Sequence, residues 1–143
     1  MDGSLVSSEG VARREHRAFI PMNENAFRFE ELQIWQRAAG LSGALFKLAE
    51  KLDERRYYRF AEQLRAAVLS ITNNIAEGSG SASDAEFANF LNISRRSVFE
   101  VVNMLIIFTR ENYLMESETT PLLRDLGEQS RMIKRFREHL VSK

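Results

Sequence analysis

The feature that most constrains this fold is a strict apolar repeat near the middle of the chain. Six side chains recur there at alternating steps of four and three residues: Tyr57, Ala61, Leu64, Val68, Ile71 and Ile75. That spacing places them along one side of a helix and is typical of helices that pack at about 20° in a bundle. The repeat therefore predicts a helix over residues 56–77 whose apolar side faces other helices.

Two further segments carry a comparable helical stripe. One begins near Phe29 and ends at the turn marked by residues 53–54, and the other begins at Thr119 or Thr120 with Pro121 in its first helical position. The stripe of the first segment is Leu32, Trp35, Ala39, Ser42, Leu45 or Phe46, and Ala49 or Leu52. The stripe of the last is Leu122 or Leu123, Leu126, Gln129, Ile133, Phe136 and Leu140.

The remaining helix is predicted between two polar turns. Gly78 is expected to end the preceding helix in a left-handed conformation. Ser83 and Glu86 then fit the capping box that begins a helix, which continues to about Asn112. Its inner stripe is Phe87, Leu91, Ser94, Val98, Val101, Leu105 and Phe108, and a second apolar set on another face is Phe99, Val102, Ile106 and Ile107.

Four helices joined by short loops predict an all-α, antiparallel up-and-down four-helix bundle over residues 27–143. One stripe on each helix suffices for such a bundle, so the second set, with Phe99 at its start, is surplus. It is expected to mediate self-association, unless tight packing inside the bundle covers it. Residues 1–26 show no sustained period and are expected to form a flexible N-terminal extension, or an arm that docks through Phe19, Ile20 and Met22.

The residue types argue against an enzyme. The chain has no cysteine and two histidines, His16 and His139, neither of which belongs to a Glu-x-x-His pair or a catalytic triad. No glycine-rich phosphate loop is present. We therefore expect no catalytic residues, no cofactor and no metal. No apolar run of about 20 residues and no signal-like start occur, so the expected location is the cytoplasm, without a membrane contact.

The net charge and the local distribution of charge give opposite indications about nucleic-acid binding. The net charge is zero, from 20 basic and 20 acidic residues, which argues against strong non-specific nucleic-acid binding by the whole surface. Local basic clusters are nevertheless present. They are either solvated faces or surfaces that contact phosphate or another partner: Arg55, Arg56, Arg59, Arg131, Lys134, Arg135 and Arg137.

Polar residues also interrupt the two middle helices: Asn73, Asn74, Glu77, Ser94, Ser97 and Glu100. One interpretation is a buried network that fixes the register of the helices, because buried polar groups must be hydrogen-bonded. The other is a ligand pocket around Asn74, Glu77 and Glu100. No histidine, cysteine or metal ligand accompanies this group, which disfavours catalysis there.

Several stretches resemble one bacterial family: residues 29–36, 63–78, 86–91, 97–100 and 113–114, of which the Asn-Ile-Ala-Glu-Gly segment at 74–78 is the most distinctive. They are similar to the four-helix bundle family of the protein encoded in 23S ribosomal RNA intervening sequences. That family, also called the S23 ribosomal protein family, includes the accessory variability determinant of diversity-generating retroelements. The resemblance covers about residues 29–140.

The resemblance implies assembly as a homopentamer and, for the retroelement branch, binding to a reverse transcriptase and to nucleic acid. It also assigns a family motif to Asn73, Asn74, Glu77 and Gly78, together with residues 97–100. The leading expectation is a non-enzymatic oligomeric scaffold that binds RNA, DNA or a nucleic-acid-processing protein. Two alternatives are an oligomeric adaptor that binds only protein and a bundle that binds a small molecule.

Overall fold

The computed structural model describes residues 27–142. The predicted extension over residues 1–26, with its arm at Phe19, Ile20 and Met22, lies outside the described residues. Within the described range the chain is all-helical, without strands. A short 3-10 helix, Arg28–Glu31, precedes four α-helices: α1 (Gln33–Glu54), α2 (Tyr58–Ser79), α3 (Asp84–Arg110) and α4 (Glu116–Val141).

The four helices form an up-and-down bundle. Each packs on the next in sequence, and α4 returns to pack on α1. The connecting turns are short, at residues 55–57, 80–83 and 111–115, so consecutive helices run antiparallel. No helix within residues 27–142 is both long enough and apolar enough to cross a membrane.

The central repeat is confirmed as the buried side of α2. From Ala61 to Ile75 its members are at most 3% exposed, while Tyr57 lies just before the helix and is half-buried. The prediction for α1 was wrong in its first half. Ile34 and Ala38 are buried there, whereas Trp35 and Ala39 are only partly buried. Apolar residues stand side by side at both places, so helical spacing alone could not choose between the two faces.

Gly78 does not have the left-handed conformation that we predicted. No glycine of the described chain has a positive φ, and α2 continues through Gly78 to Ser79. Gly78 is buried against α3 instead, where a Cβ would lie 2.7 Å from Phe87 Cδ1. The glycine is therefore required by close helix packing and not by the turn.

The start of α3 is confirmed at Ser83, whose Oγ accepts the backbone N–H of Glu86 at 3.2 Å. The predicted capping box is only half formed. The Glu86 carboxylate accepts the N–H of Ala82 at 3.2 Å, one residue before the expected donor. Both bonds still satisfy backbone donors at the helix end.

The predicted start of α4 was wrong by one turn. The helix begins at Glu116, because the Glu118 carboxylate accepts the N–H of Met115 at 3.0 Å and so caps an earlier turn. Thr119 is buried inside the helix, where its hydroxyl bonds that of Thr109 at 2.9 Å. Pro121 is accommodated within α4, and the predicted inner position of Gln129 is confirmed by its complete burial.

Candidate functional site

Two similar turns lie side by side at one end of the bundle. After α1, Arg56 has φ 68°, its N–H donates to Asp53 O, and the N–H of Tyr57 donates to Leu52 O at 2.8 Å. This is the Schellman pattern, in which a left-handed residue closes the helix. The turn after α3 repeats the same pattern, with Asn112 at φ 65°.

Aromatic rings join the two turns. Tyr57 and Tyr113 follow the left-handed residues and stack on each other with their ring centroids 4.2 Å apart. Phe60 lies 5.7 Å from Tyr113 and 5.2 Å from Phe108. Such aromatic pairs stabilise a packing arrangement beyond the area that they bury, so this end of the bundle is held by a defined cluster.

Arg55 also connects the turns. Its Nη1 donates to the carbonyl oxygen of Asn112 at 2.6 Å, and its guanidinium lies 5.4 Å from the ring centroid of Tyr57. A carbonyl and an aromatic face do not neutralise the charge of Arg55. The residue is exposed, so its positive charge is presented to solvent.

The predicted basic residues near the start of α2 are brought together by this turn. The side chains of Arg56 and Arg59 are exposed and make no ion pair or hydrogen bond within residues 27–142. Between them, Tyr58 is 61% exposed. We define the turn patch as Arg55, Arg56, Tyr58 and Arg59. Tyr58 was absent from the predicted site, although its position between arginines could have indicated it.

The basic residues predicted on α4 lie elsewhere and are largely neutralised. Glu128 accepts from Arg131 at 3.1 Å and from Arg135 at 3.2 Å, while Lys134 pairs with Glu138 at 3.4 Å. The bonds from Arg135 and then Arg131 hold the pKa of Glu128 below its usual value. Each of these three cations is therefore paired, although two of them share one carboxylate and the face keeps one net positive charge.

Arg137, the last member of the predicted basic set, does not join these pairs. Its Nε donates to the carbonyl oxygen of Ala88 on α3 at 3.0 Å. This contact links α4 to the beginning of α3 and gives Arg137 a structural role. The predicted basic residues thus divide between the turn patch, an ion-paired face of α4 and the structural contact of Arg137, and their role in binding stays a prediction.

The family-motif residues are only partly connected. Asn74 Nδ2 donates to the backbone oxygen of Ser70 at 2.8 Å and to its hydroxyl at 3.0 Å, and that hydroxyl bonds Ser97 at 2.7 Å. Asn73, Glu77 and Glu100 are exposed and do not join this chain of bonds. Ser70, which sequence reasoning missed, is the connecting residue.

Ser94, another polar residue predicted in the network, is separate and fully buried. Its hydroxyl donates to the backbone oxygen of Ile71 across the α2–α3 interface at 2.8 Å. A shallow open cavity of about 380 Å³ lies along the same pair of helices, with Ser70, Glu100 and Met104 in its wall. Asn74 and Glu77 are not in that wall, so this cavity does not join the three residues, and a ligand pocket around them stays a prediction.

Three of the four surplus apolar side chains of α3 are exposed, but they do not share one face. Phe99 and Ile106 are 51% and 42% exposed and lie two turns apart on one line. Ile107 is 44% exposed and, as the next residue, lies about 100° round the helix. Val102 is half-buried against the core. The guanidinium of Arg95 covers part of Phe99, 5.0 Å from its ring centroid.

Metal-ligating side chains do not cluster in the described part of the chain, where no group of three or more His, Cys, Asp or Glu residues is close enough to hold an ion. Of the two histidines, His139 lies exposed near the end of α4 and His16 lies outside the described residues. The predicted absence of a metal site stays a prediction.

Comparison with known proteins identifies the family. The chain resembles a crystal structure from Bacteroides thetaiotaomicron VPI-5482, a protein with unknown function from the S23 ribosomal protein family. The TM-score is 0.70 at 21% identity, over 73% of this chain and 98% of that one, which shows the shared fold. Curated proteins give no significant match. The sequence model of the 23S rRNA-intervening sequence protein family matches residues 30–135, so this chain belongs to that family.

Proposed function

We propose that this protein is a non-enzymatic scaffold, whose copies assemble through the outer face of α3 and together hold a macromolecular partner. The observation that carries the proposal is the exposure of Phe99 and Ile106 on one line of that helix, with Ile107 exposed beside them about 100° further round. Contiguous apolar patches on soluble proteins commonly mark surfaces that bind other proteins. The occupant proposed here is a second copy of the chain.

Two properties support a second copy as the occupant. Phe99 and Ile106 form a straight ridge along α3, a shape that suits packing against another helix. The net charge of zero means that copies do not repel one another strongly. A closed ring would bury the ridge in every copy, and the homopentamer implied by the family resemblance is one such arrangement.

The ionisable groups support binding in preference to catalysis. The shifted pKa values of Lys51, Glu118 and Glu128 arise from hydrogen bonds and ion pairs at the surface. Strongly perturbed groups gathered in a cleft would instead be expected of a catalytic site. The family description refers to 23S rRNA, which favours an RNA-related partner. Binding to a reverse transcriptase and the retroelement branch stay predictions.

The test places a charge on the proposed contact. Ile106→Glu is expected to reduce the solution mass, measured by light scattering, because the carboxylate would be desolvated at the interface. Leu69→Glu is the matched control, since Leu69 is similarly exposed, at 47%, on α2. Circular dichroism checks that both variants keep the helical fold. An unchanged mass for Ile106→Glu, with Leu69→Glu also unchanged, would remove α3 as the assembly surface.

A further inference from the structure

We propose that the turn patch binds single-stranded nucleic acid, with Arg56 and Arg59 contacting phosphates and Tyr58 stacking on an unpaired base. This inference deepens the proposed function, on which it rests, by naming the partner that the scaffold holds. It is carried by three observations: an arginine at a position that disfavours it, an exposed tyrosine beside it, and positive charges without carboxylate partners.

The backbone at Arg56 gives the first observation. Its φ of 68° lies in the left-handed region, which disfavours a residue with a long side chain. The equivalent position after α3 is occupied by Asn112, a residue type that tolerates this conformation. The guanidinium of Arg56 makes no hydrogen bond or ion pair within residues 27–142. The described fold therefore gives no reason for an arginine, whereas a bound phosphate does.

The exposure of Tyr58 gives the second observation. The neighbouring ring of Tyr57 is occupied by its stack with Tyr113, but Tyr58 is 61% exposed. An aromatic ring among basic residues is the usual platform for an unpaired base, because every base has a face that can stack on it. Bases in a duplex are already stacked, so this arrangement selects single strands.

The charge balance around the turn gives the third observation. Asp53 is committed to Arg65, with Oδ2 and Nη2 2.5 Å apart, and Glu54 forms no ion pair with the arginines of the turn patch within residues 27–142. Arg55 uses a carbonyl oxygen and keeps its charge. The positive charges of the patch thus remain available to a phosphate backbone, unlike those of Arg131 and Arg135, which share an ion pair with Glu128 on α4. Assembly would multiply such sites and increase avidity.

The principal test uses Arg56→Gly in the full chain, with labelled short oligouridine and oligothymidine as probes at several salt concentrations. Glycine suits the left-handed turn, so the melting temperature is expected to rise. Affinity is expected to fall several-fold, and the slope of log affinity against log salt is expected to decrease by about one, the loss of one phosphate contact. The two probes distinguish RNA from DNA as the source of the strand.

Asn112→Gly is the matched control, because it makes the same backbone change in the neighbouring turn without removing a positive charge. It is expected to raise the melting temperature and leave affinity unchanged. Tyr58→Leu is expected to weaken binding without changing the salt slope, since stacking involves no counterion. Equal affinity of wild type and Arg56→Gly would overturn the proposal, as would equal competition by duplex.

The same samples separate this inference from assembly when their solution masses are measured. An oligomer that shows no salt-sensitive binding to either probe would overturn the nucleic-acid inference and leave a scaffold for proteins alone. A monomer whose binding depends on Arg56 would overturn assembly and keep the turn patch as the binding site.

Discussion

Gly78 packs against Phe87, and a Cβ built on it would come within 2.7 Å of Phe87 Cδ1 and 2.8 Å of Phe90 Cβ. Real Cβ atoms do not approach other atoms so closely, and α2 and α3 would have to separate to admit one. The glycine of the family motif therefore sets the distance between these two helices at the end where they are joined.

Gly78→Ala is expected to destabilise the fold by about 1–3 kcal/mol, because the added methyl group overpacks a buried interface. Gly43→Ala is the control, since nothing lies within 4 Å of its Cβ position on the exposed side of α1. It should instead stabilise by about 0.5–1 kcal/mol through helix propensity. Urea unfolding of both variants measures the difference, and a neutral Gly78→Ala would contradict this packing account.

The hydroxyl contact between Ser70 and Ser97 predicts which motif residues matter for stability. Ser97→Ala is expected to cost about 1 kcal/mol, because it removes a partner from a partly buried hydroxyl pair. Glu77→Gln and Glu100→Gln should change stability by less than about 0.5 kcal/mol, since both side chains are exposed. Comparable losses for Glu100→Gln and Ser97→Ala in urea unfolding would show that the carboxylate does belong to the network.

Glu118 predicts a dependence of stability on pH. Bonds from Lys51 and from the Met115 N–H hold the pKa of Glu118 below its ordinary value of 4.5. A lowered folded-state pKa gives stability that is present above the ordinary value and is lost as the pH falls through the folded-state value. Glu118→Gln should therefore reduce the fall in melting temperature below about pH 4.5. Glu100→Gln, a control without an ion pair in the described structure, should preserve the wild-type fall.

The partner of Glu118 behaves in the opposite sense at high pH. The bond to Glu118 and its negative charge raise the pKa of Lys51 above its ordinary value of 10.5. The stabilisation is complete below the ordinary value and is lost as the pH rises through the folded-state value. Lys51→Met should have a lower melting temperature than wild type near neutral pH and a smaller further loss under strongly alkaline conditions. Parallel curves for the two proteins would contradict this pairing.

The ion pairs on α4 predict that removing the carboxylate of Glu128 increases the affinity for nucleic acid. Glu128→Gln would leave Arg131 and Arg135 without their shared carboxylate, so salt-sensitive binding to oligouridine is expected to strengthen. Changing Arg131, Lys134 and Arg135 together to alanine should weaken binding less than Arg56→Gly. If the triple variant loses more affinity than Arg56→Gly, then α4 and not the turn patch is the main contact with phosphate.

The fold could be predicted from the sequence where one physical signal acted alone. The spacing from Ala61 to Ile75 specified the buried side of α2, and Ser83 specified the start of α3. The errors arose where two signals competed. Adjacent apolar residues at 34–35 and 38–39 gave α1 two possible faces, and the Glu118 carboxylate began α4 before Thr119.

The candidate site was harder to predict because it depends on tertiary contacts. The sequence indicated Arg55, Arg56 and Arg59, but the left-handed turn at Arg56 and the exposure of Tyr58 follow from how the end of the bundle packs. The basic residues of α4 looked equivalent, yet Arg131 and Arg135 share an ion pair with Glu128, whereas Arg137 bonds a backbone oxygen of α3. Gly78 was correctly singled out from the sequence, but the reason given for it was wrong. Residue type alone cannot distinguish a glycine required by close helix packing from one required by a turn.

The most direct test of the scaffold account is sedimentation equilibrium of the unmodified chain over a range of concentrations near neutral pH. If the copies assemble as proposed, the protein should sediment with a single mass that is a whole multiple of the 16.5 kDa chain. The pentamer implied by the family would have five times the mass of one chain. A mass of one chain at every concentration would contradict assembly through Phe99, Ile106 and Ile107 and would leave each bundle to act alone.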